Sequence, residues 1–210
     1  EMWKGLAGYS VSGHKIHGPK GIGLLVYDSK LDLNPQMHGG KQQFGVRSGT
    51  LPLPLIVGLE TAIKHAVAQT EQTQNHLQSL CCYLTHGLQA MQDQIPELDI
   101  RFNSLVDAGV TRQSPGIVNF SFTPVEGEII LHHLEAKNIF VGLGSACSAK
   151  SKKPSKILMG IGLSEEQARC SLRISFSRNN TIEEIDQFLE AFGDAYQSLY
   201  PTFSQKAGHQ

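Results

Sequence analysis

A glycine-rich stretch near the amino terminus combines residue types that can bind an anion and react with a carbonyl group. Residues 10–21 read SVSGHKIHGPKG, and an apolar run follows at once. Ser12 and His14 can donate hydrogen bonds to an anion such as a phosphate. The amine of Lys15 can bind a carbonyl cofactor covalently. The alternative interpretation is a basic surface turn between two strands, the usual role of a lone lysine in a glycine-rich turn.

A second candidate nucleophile lies far downstream, in a segment of small and basic residues. Residues 142–150 read GLGSACSAK, with Cys147 near the centre. Positive charge favours the thiolate, the nucleophilic form of cysteine, and this charge comes from Lys150, Lys152 and Lys153. Because its neighbours are small and polar, we interpret Cys147 as an exposed nucleophile. The other three cysteines are predicted to be small buried hydrophobic residues: Cys81, Cys82 and Cys170.

Two further residues are candidates for anion binding. Arg173 alternates with Leu172 and Ile174, which predicts a strand with the guanidinium on its polar face. A guanidinium held on a strand can bind a carboxylate with two hydrogen bonds, although a surface ion pair is equally compatible with the pattern. Thr50 lies in a glycine-rich loop and can offer its hydroxyl group to a phosphate. No metal site is indicated by the spacing of the histidines and cysteines.

The elements that position these residues are predicted from apolar periodicity. Helical spacing from residue 54 to residue 91 predicts one long helix, or two with a bend, that ends before Pro96. Alternation predicts strands over residues 98–102, 118–122 and 172–176, and apolar runs predict a buried strand over 22–27 and a brief one over 139–141. Helices are predicted over 126–137 and after capping boxes at Ser164 and Thr181. The last helix is expected to end near Pro201, before a disordered tail.

This order of elements predicts an α/β to α+β fold, with helices covering one face of a mainly antiparallel sheet. We place the domain boundary within the long helix, which gives a first region over residues 1–70. A second, α+β region carries Cys147 over residues 71–201, and residues 202–210 form the tail.

Composition excludes some classes of partner. The formal net charge is −1, so no overall field favours nucleic acid or an anionic membrane. No apolar run approaches the ~20 residues that a membrane-spanning helix needs. The four cysteines do not form a disulfide framework, which favours a reducing, cytoplasmic location.

Since the chain starts without Met and enters motif-bearing sequence at once, we expect it to be a fragment or a processed half.

Taken in order, the motifs resemble the carboxy-terminal half of the pyridoxal-phosphate-dependent cysteine desulfurases of iron–sulfur cluster assembly, in aminotransferase class V (fold type I). The resemblance spans nearly the whole chain. It rests on SGHK at 12–15 with GPKG at 18–21, QMHGG at 36–40, RSGTLP at 47–52, GSAC at 144–147 and LRIS at 172–175. It implies a remnant of the large cofactor-binding domain, followed by the small α+β domain.

The resemblance also implies a role for each candidate residue. Lys15 matches the lysine that binds the pyridoxal phosphate, and Ser12 and His14 match contacts of its phosphate. Thr50 matches a phosphate contact lent across a homodimer to the other subunit. Cys147 matches the cysteine that takes sulfur from L-cysteine as a persulfide, leaving L-alanine, and Arg173 matches the arginine that binds the substrate carboxylate. The persulfide sulfur would pass to an acceptor or scaffold protein, which the lysines after Cys147 are expected to dock.

The comparison with the family pattern leaves two alternatives open. The family's residues that contact the pyridine ring, and the helix that holds most of the phosphate, precede the lysine and are absent here. We therefore expect the isolated chain to bind the cofactor weakly and to turn over little cysteine. Residues 41–44 read KQQF, where the family commonly has a glycine and an acidic residue. The alternatives are a selenocysteine lyase of the same fold and a truncated, non-catalytic interaction or dimerisation module.

Overall fold

The computed structural model describes residues 5–103, 114–143 and 154–207. The chain divides into two compact units, the first ending at Thr70 and the second beginning at Glu71. The first unit contains β1 (Gly8–Ser12), β2 (Gly23–Tyr27) and α1 (Leu53–Ala68). The elements of the second unit are α2 (Thr70–Gln94), β3 (Asp99–Phe102), β4 (Ile117–Thr123), α3 (Gly127–Ala136), α4 (Lys156–Gly160), α5 (Glu165–Arg169), β5 (Ser171–Ser175) and α6 (Ile182–Ala207).

The first unit is a β-hairpin followed by loops and a helix. β1 and β2 pair in antiparallel register, from Gly8 opposite Tyr27 to Ser12 opposite Gly23. The strand predicted over 22–27 is confirmed, but the prediction that it is buried is wrong: Leu25 is 52% exposed. A two-stranded hairpin buries an apolar face only where another layer packs on it, and the described part of the chain leaves Leu25 without such cover. β1 was not predicted, because its glycine and serines are poor strand formers. Its backbone is extended because it pairs with β2.

The long helical pattern after residue 53 forms two helices, which was one of the two predicted arrangements. α1 ends at Ala68, where the backbone N–H of Gln69 bonds to the carbonyl of His65. α2 begins at Thr70, whose hydroxyl group donates to the carbonyl of Ala66 across 2.8 Å. A threonine hydroxyl that bonds back to the preceding turn competes with the helical hydrogen bonds, which fits a break at this position.

The second unit is built on a three-stranded antiparallel sheet in the order β3-β4-β5. Its apolar face is covered by α2, α3 and α6, as the sequence predicted. Phe120 and Phe122 of β4 meet Phe192 of α6 edge to face, with ring centroids 5.6 and 5.0 Å apart. These rings are fully buried, and Tyr196 extends the cluster by donating its hydroxyl proton toward the carbonyls of Glu97 and Thr123. This aromatic cluster is the centre of the unit's core.

Both predicted capping boxes are present, and they fix where two helices begin. Ser164 and Gln167 exchange side-chain to backbone hydrogen bonds at the start of α5. Thr181 and Glu184 do the same at the start of α6, across 3.4 and 3.1 Å. Each exchange satisfies two backbone N–H groups that the first helical turn leaves without a partner.

The predicted end of the last helix is wrong, because α6 continues through Pro201 to Ala207. The tail assigned to residues 202–210 is therefore helical as far as Ala207, and residues 208–210 lie outside the described part. Tyr200 and Phe203 pack against the core on either side of the proline. A proline removes one helical hydrogen bond and crowds the preceding turn, and this apolar packing opposes that cost.

The brief strand predicted over 139–141 is also wrong. The chain makes a single bridge there, one residue later, between Gly142 and Arg173. Ile139 and Val141 are held instead by their side chains, which pack against the core.

The helices in the described parts of the chain are each too short or too polar to cross a membrane.

We expect Phe192→Ala to destabilise the second unit by about 3–5 kcal/mol, because it removes a ring that contacts Phe120 and Phe122 and leaves a cavity. Phe140→Ala is the matched control, since the Phe140 ring is 78% exposed and its loss should change stability by less than about 0.5 kcal/mol. Urea unfolding followed by far-ultraviolet circular dichroism measures both. Equal effects would contradict the central position of Phe192.

Candidate functional site

The three residues predicted to bind a phosphate-bearing carbonyl compound lie together on one exposed turn. β1 ends at Ser12, and a single 3-10 turn, Gly13–Ile16, carries His14 and Lys15. Gly13 is buried, and its N–H donates to the carbonyl of Ile22 across 2.9 Å. Ser12, His14 and Lys15 are all exposed. The hairpin therefore carries an exposed hydroxyl group, an imidazole and an amine within residues 12–15.

Tight packing against α1 holds this turn in place. The N–H of Gly18 donates to the carbonyl of Gly13 across 2.9 Å, which closes the turn. A Cβ atom at Gly18 would lie 3.1 Å from the Cβ of Ala62. A Cβ atom at Gly58 would lie 2.5 Å from Cγ of Pro19, closer than carbon atoms can approach. The glycine at each position lets the Lys15 turn and α1 lie in contact.

Thr50 lies at the end of a loop that folds on itself. The hydroxyl group of Ser48 donates to the carbonyl of Met37 across 2.6 Å, and Ser48 is buried. The N–H of Gly49 donates to the side-chain oxygen of Gln42 across 3.1 Å. These bonds connect both ends of the loop, leaving Thr50 exposed just before α1. At the tip of the loop, Phe44 is 98% exposed and has a left-handed backbone (φ 57°).

Arg173 lies on β5 of the second unit and is joined to the segment that leads to Cys147. The N–H of Arg173 donates to the carbonyl of Gly142 across 2.7 Å, and the Gly142 N–H donates to the carbonyl of Arg173 across 2.9 Å. The guanidinium lies against Gly142, since a Cβ there would be 3.1 Å from Nη2 and 3.3 Å from Nε. As predicted, Leu172 and Ile174 are buried, while Arg173 is only half-buried on the opposite face.

One residue beside Arg173 was missed by the sequence analysis. Asn119 of β4 is directly opposite Arg173 in the sheet register, so the two side chains share a face. Asn119 is buried, and its amide donates to the carbonyl of Leu172 across 3.0 Å. Alternation in the sequence places Asn119 on the polar face of β4, but it does not give the register that brings it opposite Arg173.

The three cysteines in the described part of the chain are free thiols, and none of them is exposed as the sequence predicts for the nucleophile Cys147. Cys147 and the lysines that follow it lie outside the described residues. Cys81 and Cys170 are buried, as predicted. The same prediction is wrong for Cys82, which is only half-buried because adjacent residues of a helix point in different directions. Burial, assisted by the carboxylates of Glu166 and Glu126, raises the pKa of the Cys170 thiol to about 12. No cluster of histidine, cysteine and carboxylate side chains suited to a metal ion occurs within the described ranges.

The sequence and fold of the chain match those of a known protein family. The aminotransferase class-V family matches residues 6–188. The chain belongs to this family. The mixed fold with its antiparallel sheet agrees with that of class-V solved structures. A structure described as a NifS-like protein aligns with a TM-score of 0.77 and 27% identity, over 93% of this chain and 47% of that one.

Relatives within class V have been named for their activity. Cysteine desulfurase IscS of Pseudoalteromonas translucida is 40% identical over 183 residues, which is 86% of this chain and 42% of that protein. A solved structure described as SspA in complex with cysteine is 33% identical, with a TM-score of 0.55, over 84% of this chain and 45% of that one. The chain thus spans less than half the length of the curated relatives it matches.

We expect Gly58→Ala to disturb the Lys15 turn, because the added methyl group would overlap the ring of Pro19. Overpacking of about 1–3 kcal/mol would outweigh the gain of about 1 kcal/mol in helix propensity. Amide NMR shifts should change over residues 12–20. Gly160→Ala is the control, since nothing lies within 4 Å of a Cβ there. Unchanged shifts over the turn in Gly58→Ala would contradict this packing.

Proposed function

We propose that this chain is the carboxy-terminal part of a cysteine desulfurase, which converts L-cysteine to L-alanine and holds the sulfur as a persulfide. The observation that carries the proposal is the exposed turn with Ser12, His14 and Lys15, in a chain whose curated relatives are named cysteine desulfurases. The cysteine in the related SspA structure supports the same substrate class.

The proposed cofactor is pyridoxal 5′-phosphate, and the residues of the turn fit its two reactive ends. The Lys15 amine is the group that can bind its aldehyde, while Ser12 and His14 can donate hydrogen bonds to its phosphate. The cofactor, when bound, withdraws electrons from the substrate and makes the bond from Cβ to sulfur easier to break. The buried Gly13, whose N–H donates to the carbonyl of Ile22, fixes the backbone of the turn that carries these side chains.

Arg173 is proposed to bind the carboxylate of the substrate. Its guanidinium is held on the polar face of β5, and its backbone is fixed by two hydrogen bonds to Gly142. A guanidinium with a fixed direction can form two parallel hydrogen bonds to a carboxylate. The binding orients the amino acid, leaving its sulfur free for attack.

Cys147 is proposed as the sulfur acceptor within the chain. Its thiolate attacks the substrate sulfur, an S–S bond forms as the bond from Cβ to sulfur breaks, and a proton added at Cβ completes L-alanine. This assignment follows from the match of GSAC to the family motif. The high pKa and burial of Cys170 make that thiol an unsuitable alternative.

The first unit is proposed to be a portion of a larger cofactor-binding domain, and residues 71–201 the small domain. The buried hydrophobic residues of the described first unit are only Leu59 and Ala62, which is too small a core for seventy residues. Its exposed apolar side chains include Leu53 and Val67, at 66% and 71%. Such a surface is suited to burial against more protein. We therefore propose weak cofactor binding and little turnover by the isolated chain.

The proposed assembly is a homodimer in which Thr50 contacts the cofactor phosphate of the other subunit. Its exposed position before α1 is compatible with that contact. Sulfur would pass to an acceptor or scaffold protein of iron–sulfur cluster or thio-cofactor assembly, docked through the lysines after Cys147. The proposed location is the cytoplasm, where the free thiols of Cys81, Cys82 and Cys170 would remain reduced.

The exposed apolar surface of the first unit also favours a second candidate, a non-catalytic interaction or dimerisation module. That role would need neither a reactive Cys147 nor a reactive Lys15, so chemical labelling separates the two candidates. A selenocysteine lyase would label in the same way and is distinguished by its relative rates on cysteine and selenocysteine.

Pyridoxal phosphate, trapped with borohydride, should label Lys15 in preference to other lysines because Ser12 and His14 attract its phosphate. Lys20 is the matched comparison, since it is exposed at the end of the same glycine-rich stretch. Peptide mass spectrometry measures the adduct at each site. Ser12→Ala should reduce labelling of Lys15 several-fold and leave Lys20 unchanged. Because even weak binding should favour Lys15, equal labelling of Lys15 and Lys20 in the wild-type chain would contradict the cofactor role.

Alkylation with iodoacetamide at pH 8 should modify Cys147 before Cys170. With a pKa of about 12, Cys170 is ionised to roughly one part in ten thousand at this pH, and its side chain is buried. Replacing Lys150, Lys152 and Lys153 with glutamine should slow alkylation of Cys147 by lessening the positive charge nearby. Mass spectrometry of the digested chain follows both rates. If Cys147 reacted as slowly as Cys170, the interaction module would be favoured.

A further inference from the structure

The polar face of the second unit's sheet contains a buried hydrogen-bonded network next to Arg173. It joins all three strands and includes Asn103, which follows β3, with Asn119 and Ser121 of β4 and Ser171 of β5. The three residues on β4 and β5 are buried. Buried amides and hydroxyl groups are costly unless bonded, and a bonded network of this kind fixes a single arrangement.

The direction of each hydrogen bond follows from the chemistry of its partners. The carbonyl of Leu172 can only accept, so the atom of Asn119 that faces it at 3.0 Å is the nitrogen Nδ2. The oxygen Oδ1 of Asn119 therefore faces Asn103, whose Nδ2 donates to it across 2.8 Å. Both ends of the Asn119 carboxamide are occupied, so its plane cannot turn.

The rest of the network fixes Asn103 in the same way. Ser171 donates its hydroxyl proton to the carbonyl of Gln167 across 2.6 Å, so it accepts from Ser121 in the pair separated by 3.0 Å. The Ser121 oxygen in turn accepts the second proton of Asn103 Nδ2 across 2.7 Å. This orientation leaves Asn103 Oδ1 buried with no partner in the described part of the chain. The two donated bonds thus set the amide's direction.

Asn119 and Gly142 lie on the two sides of Arg173 within the sheet. Asn119 is opposite Arg173 on β4, where facing Cβ atoms are about 4.5–5.5 Å apart. Gly142 bonds to the other edge of β5 and contacts the guanidinium. The fixed carboxamide is thus the cross-strand neighbour of the arginine on one side, and the backbone of Gly142 lies against the guanidinium on the other.

We propose that Asn119 is a positioning residue that holds the Arg173 guanidinium in the orientation needed for an α-carboxylate. This inference rests on the proposed function, since Arg173 is there the carboxylate-binding group. Asn119 acts through Arg173, while its Nδ2 donates to the carbonyl of Leu172 and its Oδ1 accepts from Asn103 within the protein. The restriction lowers the rotamer entropy that Arg173 loses when it binds.

The test is a titration of the full chain with L-alanine, observed through the Nε–Hε NMR signal of Arg173. Ethylamine, which lacks only the carboxylate of alanine, is the ligand control. Asn119→Ala should weaken binding about fivefold, the equivalent of ordering one flexible side chain on binding. Without ligand, the same variant should sharpen and average the Arg173 guanidinium signals, because rotation becomes freer.

Ser121→Ala is the matched control. It removes a buried side chain of the same network on the same strand, but it lies opposite Ser171 and not opposite Arg173. It should lower thermal stability without changing the Arg173 signal or the affinity for L-alanine. If Asn119→Ala does not fold, Asn103→Ala replaces it, since it frees Oδ1 of Asn119 and should weaken binding about twofold.

The outcomes separate this inference from the proposed function. If L-alanine fails to shift the Arg173 signal in the wild-type chain, the carboxylate role fails, and the ligand-free mobility of Arg173 alone decides the role of Asn119. If Asn119→Ala and Ser121→Ala change affinity and mobility equally, the network is only structural and the inference is overturned. It is also overturned if Asn119→Ala leaves both quantities unchanged.

Discussion

The pleat of β4 is the constraint on which the second unit depends. Successive side chains of a strand point to opposite faces, so a single register determines the position of every residue in it. In the observed register, Phe120 and Phe122 enter the aromatic core with Phe192, while Asn119 and Ser121 enter the polar network. A slip by one residue would put amides in the core and aromatic rings beside Arg173. The core packing that stabilises the fold therefore also sets the surroundings of the candidate site.

Local sequence patterns predicted much of this fold because several signals are strong. The alternation in β4 and β5, the helical spacing of α6 and the two capping boxes are each set by neighbouring residues, and each was confirmed. The wrong predictions concern places where packing against residues distant in sequence determines the local backbone structure. Pro201 stays inside α6 because Phe203 packs on the core, and Ile139 is held by its side chain although its residue type favours a strand.

The sequence indicated individual candidate residues, but it did not indicate which other residues lie next to them in the fold. Ser12, His14, Lys15 and Arg173 were each proposed from residue type and neighbours, and the turn that carries His14 and Lys15 follows from the adjacent glycines. The packing of Gly58 against Pro19 and the position of Asn119 opposite Arg173 each join residues that are far apart in sequence. Spacing along a chain contains no information about strand register or about where a helix meets a turn, so these supporting residues emerge only from the structure.

The bridge between Gly142 and Arg173 has a consequence for how this protein can vary. The bridge holds Gly142 on the sheet, and further along the chain Ser155 caps α4 by accepting a hydrogen bond from the N–H of Leu158. Loop-closure entropy changes only slowly with length, by about 0.6 kcal/mol per doubling. The chain between Gly142 and Ser155 can therefore change in length at little cost to the stability of the sheet and helices that hold these two residues.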